Sequence, residues 1–300
     1  MPSLNRSALT ALTGLACAAA TTAASAASVT ITVENLSPDG GLFTTPVWVG
    51  FHNGAFDLFD VGAAATPGLE AIAEDGSFAA VAAELEAATG GTGLGGAVTA
   101  PGGFAGAPVF EAGETGSATF EIDAATQGFL SFGAMVLPSN DAFFGTDEAI
   151  QLFDDDGVFF GDREFTFARA DLFDAGTELN TELDAAFLNQ TGPDTGETEN
   201  GVIALHPGFI GSVGGPAAGP NGESASILGG TVVSGDVIDA TAGDFTASGF
   251  DALARVTITL NPDAGTGTAV PAPSAFGAGL LGLFALARRR SRVADTDARG

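Results

Sequence analysis

At 300 residues with a formal net charge of −28, the chain is acidic, yet its 45% apolar content and 24 Phe are far above what a disordered acidic chain carries. Six of the nine arginines lie at the ends (Arg6, Arg288, Arg289, Arg290, Arg292, Arg299). Arg163, Arg169 and Arg255 alone face the 35 acids that remain once Asp295 and Asp297 of the tail are set apart from the total of 37. That balance excludes nucleic acid and anionic lipid as direct partners and favours divalent cations. The only Cys, Cys17, lies in the N-terminal apolar run, which excludes disulfides, thiolate–zinc sites and a cysteine nucleophile from the body.

Residues 1–26 read as a secretory signal: Arg6 supplies the positive start, Ala8 to Ala20 the apolar run, and Ala24-Ser25-Ala26 a small-x-small cleavage site. The body, 27–262, follows. Val29 to Asn35 alternates apolar and polar residues and predicts a strand, and Pro46 to His52 predicts a second, with Trp48 in the core. Leu58 to Ala65 is a loop. Pro67 to Ala88 is the one helical stretch. Pro67 starts it, Gly76 breaks it, and two short helices result, capping a sandwich. A Gly-rich loop runs from Thr89 to Gly106. Ser117 to Ile122 and Phe129 to Leu137 are strands, the second apolar on both faces and therefore central. Glu148 to Phe153 and Glu164 to Ala170 flank Asp154-Asp155-Asp156-Gly157 as a hairpin, and 189–200 is a polar loop. Gly211 to Gly230 is an aperiodic excursion expected to be mobile. Ala252 to Leu260 is the last strand, patterned like the first and placed in the same sandwich. The fold class is all-β, an antiparallel sandwich of C2-like or Greek-key type with one or two short helices.

Residues 263–273 are a linker with a Pro271-Ala272-Pro273 motif, and Ser274 to Ala287 is an uncharged run, short for a bilayer crossing, followed by the Arg cluster. Pro motif, apolar segment and Arg cluster together resemble the PEP-CTERM sorting signals of Gram-negative bacteria, with Pro-Ala-Pro in place of Pro-Glu-Pro. The resemblance implies transient inner-membrane anchoring through 274–300, removal of that tail, and delivery to the cell surface or extracellular matrix.

The chemistry of the chain concentrates in loops of the 129–178 stretch. In PSNDAFFG, Asp141 follows Pro138-Ser139-Asn140 at the end of the central strand, and Asp174 and Glu178 belong to DAGTE, where Gly176 permits a tight turn that can bring both carboxylates to one side. Calcium takes six to eight oxygens from such loops. The Asp154 run has the start of an EF-hand, but its twelfth position is Phe165, so it reads as a turn. His52 and His206 read as local hydrogen-bonding residues, and no Gly-x-Ser-x-Gly, His-Glu-x-x-His or phosphate-loop motif is present.

In order along the chain, WVGFHNGAFDLFDVG, PGLEAIAEDGSFAAVAAEL, PSNDAFFG and DLFDAGTE resemble the spondin N-terminal domain, over roughly 29–260. The resemblance implies a β-sandwich with one bound Ca2+, its ligand acids at Asp141, Asp174 and Glu178. Phe143 and its neighbours stand where animal members have Trp, and Glu178 stands for an Asp. The expected function is an exported, non-enzymatic, calcium-binding interaction module of the cell surface or extracellular matrix. It would be a monomer whose rim binds a glycan or a surface protein. The alternatives are a glycan hydrolase using a carboxylate pair, and a structural matrix protein bridged by calcium.

Overall fold

The computed structural model describes residues 26–102 and 107–261. In chain order it contains β1 (Ala26–Asn35), β2 (Phe43–Thr44), β3 (Val47–His52), α1 (Pro67–Asp75), α2 (Ala79–Thr89), β4 (Leu94–Val98) and β5 (Thr115–Asp123). It continues with β6 (Phe129–Leu137), β7 (Ala142–Gly145), β8 (Ile150–Gln151), β9 (Arg163–Phe167), β10 (Phe173–Asp174), β11 (Ala204–Leu205) and β12 (Ala254–Leu260). The signal, linker and sorting readings fall on residues outside those described, apart from Ala26, which opens β1.

All strand pairings are antiparallel, in two sheets: β5-β1-β12-β9, and β11-β10-β7-β6-β3-β4 with β2 and β8 also on β6. This is the all-β sandwich expected from the sequence. In β1 the alternation works as read: Val29, Ile31 and Val33 are buried, while Thr30, Thr32 and Glu34 are partly exposed. Each such buried side chain contributes about 1.5–3 kcal/mol. β12 pairs along β1 from Val29↔Leu260 to Asn35↔Ala254, so the first and last strands, expected in the same sandwich, are neighbours in one sheet.

β6 is central and buried along nearly its whole length. β3 and β7 beside it are buried on both faces for the same reason: one face meets the first sheet and the other meets the helices. Val49, Phe132 and Phe144 point into the inter-sheet core, whereas Trp48 and Phe143 pack with Leu69, Ile72, Val81 and Leu85 of the helical pair. The helices therefore cover the larger sheet. Thr66 caps α1 by accepting the Leu69 N–H at 3.2 Å, and Gly76 ends it in the left-handed conformation, its N–H on the Ile72 carbonyl. Glu84 of α2 accepts from Gly68 N–H at 2.7 Å at the positive end of α1. Among the described residues no helix is long and apolar enough to cross a membrane.

The structure corrects four readings. The Gly-rich stretch after α2 contains β4, held as a strand by the register of β3 (Val47↔Val98 to Phe51↔Leu94), with Val98 its one β-branched side chain. Ala142 to Gly145, read as loop, is β7. The acidic Asp154 turn exists, but its return arm is 158–160: Phe153 bridges Phe159, and Phe160 N–H reaches the Leu152 carbonyl. The 164–167 segment instead joins β12 in the other sheet, so the two flanks of the expected hairpin lie in different sheets. The 211–230 excursion has no strand but is tied down by amides that Glu182 accepts, described below.

Candidate functional site

At the end of β6 the chain turns through a cis Leu137–Pro138 bond. Ser139 Oγ donates to the Val136 carbonyl at 2.6 Å and accepts the Ala142 N–H at 3.1 Å, closing a tight corner. The corner sets Asn140 and Asp141 at its tip, immediately before β7. β10 runs beside β7 with Asp174 opposite Ala142, so the DAGTE turn that follows β10 lands on the same corner.

The two loops are sewn together by Asp141. Its Oδ2 accepts Thr177 N–H at 2.9 Å, Glu178 N–H at 3.1 Å and the Thr177 hydroxyl at 3.2 Å. Its Oδ1 has no partner, although the residue is 0% exposed. Asp174 Oδ1 accepts Gly176 N–H at 2.8 Å, and its Oδ2 takes the Asn180 side-chain amide. Glu178 is turned the other way: Oε1 accepts Gly196 N–H at 2.9 Å and Oε2 takes Asn140 Nδ2 at 3.4 Å. The structure thus brings Asp141 and Asp174 together at one turn and holds the Glu178 carboxylate against Asn140 and the 189–200 loop. Gly176 is fixed by its backbone, and Gly196 leaves room for the Glu178 carboxyl. Gly176 has φ +69° and a Cβ there would stand 2.7 Å from Val202 N, and a Cβ on Gly196 would fall on the Glu178 carboxyl. Gly176→Ala should therefore cost more than 1 kcal/mol in a denaturant melt, through both backbone strain and the clash with residue 202.

The electrostatics are those of acids without a counter-charge. Burial, then the neighbouring Asp174, raises the Asp141 carboxyl to about 7. Burial, then Asp184 and Asp75, raises Glu178 to about 7. Glu74 of α1, 3% exposed, is raised to about 8 by burial, with Glu178, Glu70 and Asp141 adding to it. The body's arginines are occupied elsewhere. Arg255 pairs with Glu34 at 3.1 Å, Arg169 reaches the Thr246 carbonyl at 3.4 Å, and Arg163 lies over the Phe160 ring.

Other candidates resolve as structural. Asp154 accepts the Asp156 and Val158 N–H groups of its own turn, and β8 beside it pairs with Phe129 and Leu130, the far end of β6 from the corner. His52 and His206 are buried neutral imidazoles, each held down to about 4 by burial. His52 accepts Gly54 N–H on Nδ1 and meets Ser131 Oγ at 3.1 Å. His206 accepts Gly208 N–H on Nδ1, and its Nε2 is without a partner in a narrow pocket lined in part by Asn140, Asn180 and Glu182. Sequence reasoning missed Glu74, Asn140, Thr177 and Gly196. The first is hidden in an ordinary helical run, and the others contribute amides and a hydroxyl that no charge pattern marks. Among the described residues, Glu70, Glu74 and Asp194 also bring one carboxylate oxygen each within 4.8 Å of one another.

The corner, the DAGTE turn and the helical pair occur here in one contiguous stretch, and that stretch has a counterpart. Residues 44–191 match the Spondin_N family model. The match supports the spondin N-terminal domain family for this stretch, narrower than the 29–260 span of the resemblance. It contains Glu74, Asp141, Asp174 and Glu178. β1, β12 and the Gly196 loop lie outside the Spondin_N match. No curated protein matches the chain.

Proposed function

We propose that the chain is an exported interaction module of the extracellular-matrix type, braced by one calcium ion at the β6–β7 corner, held by Asp141 and Asp174 and by Glu178 once its carboxylate turns from Asn140 and Gly196. The observation that carries the reading is the unpartnered Oδ1 of Asp141. A fully buried carboxylate oxygen without a donor costs several kcal/mol unless a proton or a cation meets it. The donor set fits a hard cation: carboxylates and side-chain amide carbonyls on loops, no thiol, and imidazoles only behind them. An ion there supplies the missing positive charge and favours the ionised form of acids that burial otherwise pushes toward neutrality. The Spondin_N match supports a matrix-type domain, and the sequence-level signal and sorting tail support export to the cell surface or matrix of a Gram-negative bacterium. The module, a monomer, would present the rim of these loops to a glycan or a surface protein.

A hydrolase is the weaker reading because its acids would be out of reach. Asp141 and Glu178, two of the carboxyls held near neutrality, are 0% and 3% exposed, whereas a glycosidase pair must flank a sugar from an open cleft. Calorimetric titration of calcium tests the proposal. The expected outcome is a single saturable site, with Asp141→Asn weakening it at least a hundredfold. Calcium heats unchanged in Asp141→Asn, or a non-saturating response suppressed by sodium chloride, would defeat the assignment.

A further inference from the structure

We propose that β5 is a docking edge that accepts an extended, cationic polypeptide segment as a further strand of the smaller sheet. This surface shares no residue with the calcium corner and does not depend on the ion.

β5 closes one side of the sheet β5-β1-β12-β9 and pairs with β1 alone, in unbroken register from Ala26↔Asp123 to Glu34↔Thr115. In an antiparallel ladder, successive residues turn their backbone groups alternately toward and away from a given neighbour. Asn261 N–H bonds to the Ser28 carbonyl and Leu36 N–H to the Leu253 carbonyl, so the even residues of β1 face β12 and the odd ones face β5. The partners of those odd residues are Gly116, Ala118, Phe120 and Ile122. Ser117, Thr119 and Glu121 therefore aim their N–H and C=O groups out of the sheet. All three are exposed, and no backbone bond from the described residues reaches them there.

The other sheet edges are closed or short. β11 has two residues, and Ile203 just before it already exchanges backbone bonds with Gly62 and Ala63. β4 and β9 have five residues each, and β9 opens on Arg163, a charge of the kind that blunts an edge. The nine residues of β5 contain no proline, no basic residue and no bulge.

A row of outward donors and acceptors at ladder spacing is met by another strand, so the occupant is a polypeptide. Its side chains follow from the two faces of β5. On the inner face Ala118 is only half-buried against the core, which favours apolar residues beside it. On the outer face Glu121 is exposed and in no ion pair among the described residues, and Glu114 and Asp123 bracket the strand. Opposite charges facing each other across strands stabilise the pairing, and like charges oppose it. The edge thus fits a strand that alternates apolar with basic residues. A second copy of this chain, with its net charge of −28, is disfavoured.

The probe is a short peptide alternating valine and lysine, with a valine–glutamate counterpart as control. In the complex, the amides of Ser117, Thr119 and Glu121 should exchange slowly, having exchanged fast in the free chain. Thr119→Pro should weaken binding about tenfold or more and leave the thermal melt nearly unchanged, because the N–H it removes makes no bond to β1. Glu121→Lys, at an exposed position, should also weaken binding while keeping the fold. The valine–glutamate peptide should not bind. Binding that Thr119→Pro leaves untouched, or that leaves those amides unprotected, is adsorption to the acidic surface and overturns the proposal. So does failure of the valine–lysine peptide to bind the wild-type chain. Self-association of the chain that Thr119→Pro abolishes would overturn it as well, by giving the edge to a second copy.

Discussion

Chelating calcium is expected to lower the melting temperature of this protein, by an amount that should widen as the pH is raised from 6.5 to 8. An ion present at a hundred times its dissociation constant stabilises the folded state by about 2.7 kcal/mol, which for a body of this size is a shift of about 5–10 °C. The pH dependence follows from the directions of the shifts. Glu74, Asp141 and Glu178 have folded-state values of about 8, 7 and 7, above their ordinary 4.5, 3.8 and 4.5. Without an ion, the folded state holds more protons than the unfolded one, and the stability these groups contribute is lost as the pH rises through 7 and 8. His52 and His206 act in the opposite sense. Their values of about 4 lie below 6.5, so their cost appears only as the pH falls from 6.5 toward 4. The window from 6.5 to 8 therefore isolates the carboxylates. A bound calcium ion would keep those acids ionised, and the slope should then flatten. Thermal melts at several pH values, with and without chelator, give the answer. Superimposable curves would remove the ion from the account of stability.

Replacing Glu182 with alanine is the second large effect expected, and it concerns the frame behind the site. Glu182 is 2% exposed and sits at φ +57°. Its carboxylate accepts N–H groups from Ile210 at 2.6 Å, Ser226 at 2.7 Å and Ile227 at 3.0 Å, and its own N–H reaches Asn140 Oδ1 at 3.0 Å. One carboxylate thus organises an excursion that has no strand of its own. Alanine leaves three amides without an acceptor, two of them in buried hydrogen bonds, and each orphaned buried donor costs about 1–3 kcal/mol, so a total loss of about 3–5 kcal/mol is expected. Amide exchange should quicken across 208–232 while the β1–β12 pair stays protected. Because Asn140 joins Glu182 to Glu178, calcium affinity should fall as well. A loss below 1 kcal/mol with unchanged exchange would mean that the excursion is held by other means.

How much of this was legible beforehand depended on whether a side chain or a partner set the local structure. β1, β6 and β12 announce themselves because their own alternation or continuous apolar run decides their burial. The helices do so because Pro67 and Gly76 act within a single turn. β4 does not, since Leu-Gly-Gly-Ala-Val is a strand only by virtue of β3, and β7 hides because the four polar or turn-forming residues before it dominate its surroundings. The return arm of the Asp154 turn was misplaced because a strand pattern at 164–167 does not name its partner, which is β12 of the other sheet. In the site, the meeting of Asp141 with the 174–178 turn was readable from the turn chemistry and the family resemblance. Glu74 was not, since nothing in Ala-Glu-Asp-Gly tells a buried helical acid from a solvated one.

The pairing of β1 with β12 also decides which way the molecule faces. Ala26 and Leu260 leave the sandwich side by side, whereas the far end of β1 is at Asn35, whose side chain reaches the Leu42 carbonyl next to Phe43, the partner of Leu137. The acidic corner thus stands toward the opposite end of this strand pair from Ala26 and Leu260, about 20–30 Å away along it. A membrane stem, a polymer or an affinity tag joined beyond Ala26 or Leu260 would therefore meet the sandwich at the end away from the corner.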